Sequence, residues 1–205
     1  RQYTGTGTNT TIAHGLGVTP AFVIVKRTDA TGGTWYAWAK GQGGTQYIPF
    51  NGAATAVTDA TVFTAGPTST NISIGTNVGV NASGGSYVAY LFANINNHVC
   101  IGNYVGNGSN DGPMVFCGFR PRLVLIKHRA GATNWYAFDQ SMNASSYVSY
   151  NTQPSGSSTR ANNGYLLAKG TGFKITTTLS ALNLLNNNMI YLAFGDIPYK
   201  YTTSF

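Results

Sequence analysis

The sequence predicts an all-β protein made of two tandem, homologous β-sandwich-like units of about 100 residues each, related by internal duplication. Three observations carry that reading. Helix-forming residues are scarce, short β-branched and aromatic runs are punctuated by Gly, Pro and Asn, and the first half of the chain is restated in the second. Only 8% of the 205 residues are charged and Glu is absent. The residues that lace helix surfaces are therefore missing, while Thr, Val, Tyr, Phe and Trp suit a pleated surface.

The restatement is traced block by block. "HGLGVTPAFVIVK" (His14–Lys26) returns as "CGFRPRLVLIK" (Cys117–Lys127), with Gly17, Pro20, Val23 and Lys26 answered by Gly118, Pro121, Val124 and Lys127. "WYAW" at Trp35–Trp38 returns as "WYAF" at Trp135–Phe138. "YTGTGTN" at Tyr3 answers "YVGNGSN" at Tyr104, "QYIPFN" at Gln46 answers "SYVSYN" at Ser146, and "YVAYLFAN" at Tyr87 answers "MIYLAFGD" at Met189. Blocks in one order at one spacing mark a tandem repeat. The units expected from it span 1–97 and 98–205.

Each unit reads as strands in turn. "AFVIVKR" and "RLVLIKHR" are short apolar runs entered through Pro20 and Pro121, as strands buried on both faces would be. "GTWYAWAK" and "TNWYAFDQ" follow across a Gly-containing turn and complete a hairpin. "SYVAYLFA" and "MIYLAFG" are the next strong strands. No stretch makes a convincing amphipathic helix; "SALNLLNNNM" comes nearest, and its Asn-rich spacing weakens it.

The formal net charge of +7 raises nucleic acid as a partner. The basic residues form no run or stripe, so a mildly basic surface is the better reading. No apolar run reaches the length of a membrane span, so no insertion is expected. Cys100 and Cys117 form no CxxC and His98 lacks partner ligands, so no metal or other cofactor is expected. Two buried thiols are the default, with a disulfide as the alternative.

The pattern "HGLGVTPAFVIVK" with "SGGSYVAYLFA", followed by "GNGSNDGPMVFCGFRPRLVLIKH", resembles a β-rich module of tailed-bacteriophage virion proteins, found in tail fibres and other appendages. The resemblance covers nearly the whole chain. It implies a virion location, other virion proteins as partners, and a homo-oligomer, a trimer as in many phage fibres. It brings no catalytic residues.

An enzyme is not expected. The five acids, all Asp, sit in turn-like contexts or lack a repeat partner, so no carboxylate pair for glycoside hydrolysis emerges. No GxSxG elbow occurs, and no Lys or helix follows the glycines of "GTGTNTT". His14 reads as the hydrogen-bonding side chain of the tight "HGLG" turn. Trp35 and Trp135 read as core anchors, with an exposed stacking platform as the alternative. Tyr36, Trp38, Tyr136 and Phe138 then point to the opposite face. Candidate ligand or partner contacts are Tyr36, Trp38, Tyr47, Tyr136 and Tyr147, joined by Arg160 and Tyr165 in the divergent stretch "NTQPSGSSTRANNGY". The function expected is a tail-fibre or appendage adhesin touching a host-surface glycan or protein; a capsid decoration protein or fibre connector is the alternative.

Overall fold

The computed structural model describes residues 1–142, 150–156 and 161–195. They form short antiparallel strands with a few single helical turns, and no helix among them is long and apolar enough to cross a membrane. The chain divides into two compact units. One comprises Arg1–Ala93 with Arg129–Trp135, the other Asn94–His128 with the described residues from Tyr136 on; the sequence repeat had placed the division at 97/98.

In the first unit the strands are β1 (Gln2–Thr4), β2 (Thr10–Ala13), β3 (Phe22–Arg27), β4 (Tyr36–Ala39), β5 (Gln46–Pro49), β6 (Val57–Thr58), β7 (Phe63–Ala65) and β8 (Asn71–Ile74). A helical turn, α1 (Val78–Asn81), leads into β9 (Ser86–Phe92). The larger sheet has the order β1-β9-β3-β4-β5-β6 and the smaller β2-β8-β7. The expected hairpin forms, with Phe22 opposite Ala39 and Val25 opposite Tyr36. Central position explains why "FVIV" is apolar throughout: β3 lies between β4 and β9, and Phe22 to Val25 are all buried. Val23, Val25, Trp38, Tyr87 and Ala89 of the larger sheet meet Phe63, Ile72 and Ile74 of the smaller in one core. That is sandwich packing.

The second unit has β10 (Val99–Val105), β11 (Met114–Phe116), β12 (Pro121–His128), β13 (Tyr136–Asp139), β14 (Tyr150–Asn151), β15 (Ala161–Asn162), β16 (Leu166–Lys169) and β17 (Gly172–Ile175). A second turn, α2 (Ser180–Asn183), precedes β18 (Asn188–Gly195). Its larger sheet runs β10-β18-β12-β13 and a smaller one β11-β17-β16. Leu123 stands opposite Asp139 and Ile126 opposite Tyr136. Val124, Ile126, Phe138 and Tyr191 meet Val115, Leu166 and Phe173 in its core. Pro121 opens β12, where its missing N–H removes the least from the ladder. The helical turn within "SALNLLNNNM" is four residues long, and its counterpart α1 carries no apolar periodicity that would announce it.

Each unit is fastened by a buried asparagine. Asn81 donates through Nδ2 to Thr8 O (2.6 Å) and Gly75 O (2.8 Å) and accepts the Thr6 N–H at 2.7 Å. Asn183 donates to Ser109 O (2.7 Å) and Thr177 O (2.8 Å) and accepts the Asn107 N–H at 2.8 Å. Beside them the Tyr3 hydroxyl donates to Val80 O and the Tyr104 hydroxyl to Leu182 O, each at 2.6 Å. Close approach of the "GTGTN" and "GNGSN" loops requires glycine: a Cβ on Gly5 would lie 2.1 Å from Ala82 O, and one on Gly106 2.3 Å from Leu184 O. A buried amide saturated by backbone groups holds a loop that has no apolar residue of its own.

Candidate functional site

Side chains alternate along a strand, and in the first unit one alternation class is left open. On β9, Tyr87 and Ala89 enter the core; Ser86, Val88 and Tyr90 face the other way. On β1, Tyr3 packs against the core and Gln2 and Thr4 are exposed. The register sets them side by side: Gln2 and Lys26 both stand opposite Val88, and Thr4 stands opposite Ser86. Thr28, just past β3, donates its N–H (2.9 Å) and its hydroxyl (3.1 Å) to Ser86 O. Gln2, Thr4, Thr28, Ser86 and Val88, together with Tyr3 and Tyr87, line a concavity of about 430 Å³.

Two aromatic rings continue the same face. Tyr90 is 45% exposed and stands opposite Ile24. Trp35, half-buried, lies parallel to it across β3, with ring centroids 6.4 Å apart and planes 3° from coplanar orientation. The Trp35 loop is held from behind, since the Trp35 N–H donates to Asn51 Oδ1 at 2.9 Å and Asn51 Nδ2 to Gly33 O at 3.2 Å. Lys26 brings an ammonium group, which donates to Gly32 O.

Arg27 stands opposite Tyr87, in the other alternation class. Its Nε donates to Asp29 Oδ1 at 2.6 Å, and its guanidinium lies 5.8 Å from the Tyr87 ring centre. The Arg27 hydrogen bond, helped by the Ser86 N–H, holds the Asp29 carboxyl below the usual carboxylate range. The face therefore offers an amide, three hydroxyls, an ammonium and two rings, with its carboxylate already paired. Such a surface can hydrogen-bond and stack.

The expected orientation of the hairpin aromatics is reversed. Tyr36 packs against the first core and meets the Tyr47 ring edge-on at 5.0 Å. Trp38 is 8% exposed and donates to Gly43 O at 3.2 Å. Tyr136, also 8% exposed, stacks with Phe138 in the second core, and Tyr165 is half-buried against it. The cause is register: Tyr36 faces Val25, a core residue, so alternation turns Trp35 outward. Trp135 is a core anchor, 1% exposed, with its ring 6.0 Å from Phe22 and 5.1 Å from Phe50 and its Nε1–H donating to Pro49 O. Tyr147 and Arg160 lie outside the described residues. Among the described residues the structure brings Tyr36, Trp38 and Tyr47 to one core and Tyr136 and Tyr165 to another, as packing residues in both cases. Gln2, Thr28, Ser86 and Tyr90 were missed; the polar alternate positions of "SYVAYLF" against the apolar ones of "MIYLAFG" were the available signal.

The remaining candidates hold structure. His14 Nδ1 accepts the Leu16 N–H at 3.1 Å, tightening the "HGLG" turn as expected. Asp59 accepts the N–H and hydroxyl of Thr61, Asp139 does the same for Ser141, and Asp111 pairs with Lys174. Among the described residues no three His, Cys, Asp or Glu side chains gather as a metal site would require.

The chain belongs to the family described as "Domain of unknown function (DUF7483)", whose model matches residues 1–198. No curated protein and no solved structure matches it.

Proposed function

We propose that this DUF7483 member is a non-enzymatic structural module of a tailed-phage virion: a piece of a tail fibre or similar appendage that touches the host surface through the outer face of β1, β9 and β3. The observation that carries this reading is the open, neutralised strip of hydroxyl, amide and aromatic groups in the first unit. A host-surface glycan suits it, because sugar hydroxyls pair with Gln2, Thr4, Thr28 and Ser86 while a pyranose face stacks on Tyr90 and Trp35. Sparse charge and many short strand edges favour assembly into a homo-oligomer, in the fibre reading a trimer.

We also infer that the two units arose by duplication of one sandwich of about 100 residues. The matching hairpin registers of β3–β4 and β12–β13, and the matching networks of Asn81 and Asn183, support it. Once a fold exists twice, one copy's outer face is free to acquire a ligand.

Antibody labelling and copy number per particle test the location. Tail labelling at a few dozen copies is the expected result. Labelling of the head at hundreds of copies would favour a capsid decoration protein. A glycan array probed with the purified chain then tests the ligand class, and the expected outcome is binding that Tyr90→Ala abolishes.

A further inference from the structure

The proposed contact face carries a full charge that, among the described residues, has no carboxylate partner. Lys26 and Trp35 each adjoin the Val25–Tyr36 pair and so share the outward alternation class. Lys26 stands opposite Val88, and Ile24, two residues earlier on the same strand, stands opposite Tyr90. Val88 in turn stands opposite Gln2. The lysine therefore lies between the two rings and the polar rows, near the middle of the open strip. Its ammonium donates to Gly32 O, and a Cβ on Gly33 would lie only 3.5 Å from Nζ. The loop carbonyl steadies the head group, and its remaining N–H donors are open to a ligand.

The acids of this unit are occupied elsewhere. They are Asp29 and Asp59. Asp29 is paired with Arg27, at 2.6 Å from Nε. Asp59 follows β6, the strand at the opposite edge of the sheet from β1, and accepts the N–H and hydroxyl of Thr61. Neither neutralises Lys26. The formal net charge of +7 adds a field that draws anions toward the chain.

We propose that this face selects an acidic saccharide: a hexuronic acid whose carboxylate is held by Lys26 while its ring face lies on Tyr90 and its hydroxyls reach the polar rows. The inference rests on the reading of this face as a saccharide contact and adds the charge of the sugar. The spacing allows these contacts together. Lys26 is the diagonal cross-strand neighbour of Tyr90, a separation of ~7–8 Å that long side chains bridge. A carboxyl group on the rim of a pyranose stacked on Tyr90 falls within reach of the ammonium. The concavity of about 430 Å³ beside Val88 is of small-molecule size and receives the adjoining part of the saccharide.

The chemistry of the partner groups narrows the anion further. An ammonium is a compact point charge without the planar fork of a guanidinium, so it reads the charge of the ligand and not a bidentate geometry. A phosphodiester-linked polyol would satisfy that charge equally. It has no ring face to lay on Tyr90, which favours the uronate. Half-burial of Lys26 strengthens the pairing relative to a fully exposed lysine, because less water screens it.

The test titrates the purified full chain with short oligomers of galacturonic, glucuronic and mannuronic acid, with their carboxyl-methyl esters, and with a glycerol-phosphate oligomer. At least one acid should bind about tenfold or more tightly than its ester. Raising salt from about 50 mM to about 500 mM should weaken the acid and leave the ester unchanged. Lys26→Met should lose the preference for the acid, and Lys26→Arg should keep most of it. The ester comparison needs no variant and decides the question even where Lys26→Met fails to fold. Acid and ester bound equally, a preference that survives in Lys26→Met, or binding of neutral glycans alone would overturn the proposal and leave the saccharide contact standing. Tighter binding of the glycerol-phosphate oligomer would overturn it in favour of a phosphodiester polymer. A chain that binds no saccharide, neutral or acidic, would overturn both this inference and the reading beneath it.

Discussion

Strands β9 and β18 occupy the same place in their units and treat their outer faces in opposite ways. On β9 the outward row Ser86, Val88, Tyr90 runs exposed, half-buried, exposed; on β18 the row Asn188, Ile190, Leu192 starts exposed and is then buried. The neighbouring strands repeat the contrast. Lys26 is half-buried, whereas Lys127 is 0% exposed. Inside, the two units agree almost atom for atom at Asn81 and Asn183. The two buried asparagines and their loops match, while the outer rows of β9 and β18 differ in how much of them meets water.

Removing a shared fastening should have the largest effect. Asn183→Ala leaves the Asn107 N–H and two backbone carbonyls without their partner in a fully buried site, and Asn81→Ala does the same in the first unit. Each is expected to lower stability by about 3–5 kcal/mol in chemical denaturation. A loss under about 1 kcal/mol would mean that water replaces the amide.

The tryptophans sharpen the contrast. Trp135→Ala should cost about 3–5 kcal/mol, as for other buried aromatics, and Trp35→Ala about 1 kcal/mol or less. Equal losses would contradict the difference in their burial.

The lysines offer a pH test. Burial pushes the Lys127 amine down from 10.5 to about 8. The unfolded chain therefore binds more protons than the folded one between those values, and stability rises with pH across the window. Lys127→Met should start more stable than wild type near pH 7, and the gap should shrink by up to about 3 kcal/mol by pH 10. A parallel pair of pH–stability curves would contradict this assignment.

Part of this contrast was legible in the sequence. The strands and the hairpins follow from "AFVIVKR", "RLVLIKHR" and the two "WYA" stretches, because β-branched runs and turn residues act locally. Which aromatic faced inward was not legible. "WYAW" is aromatic on both alternation classes, so only the pairing of Val25 with Tyr36 decides that Trp35 turns out. The proposed contact face escaped for a related reason. Gln2, Thr28 and Ser86 lie far apart in the chain and meet only through the β1–β9–β3 register, and small polar residues at strand ends carry no periodic signal.

The smallest effect on stability and the largest on function are expected at the open face itself. Tyr90→Ala with Trp35→Ala removes both rings from an exposed surface, and the double variant should unfold within about 1–2 kcal/mol of wild type. Under the proposed reading as a phage appendage, the decisive measurement is adsorption of particles carrying that double variant to the host. The account predicts adsorption reduced at least tenfold with the particles otherwise intact. Adsorption equal to wild type would contradict the claim that this face meets the host.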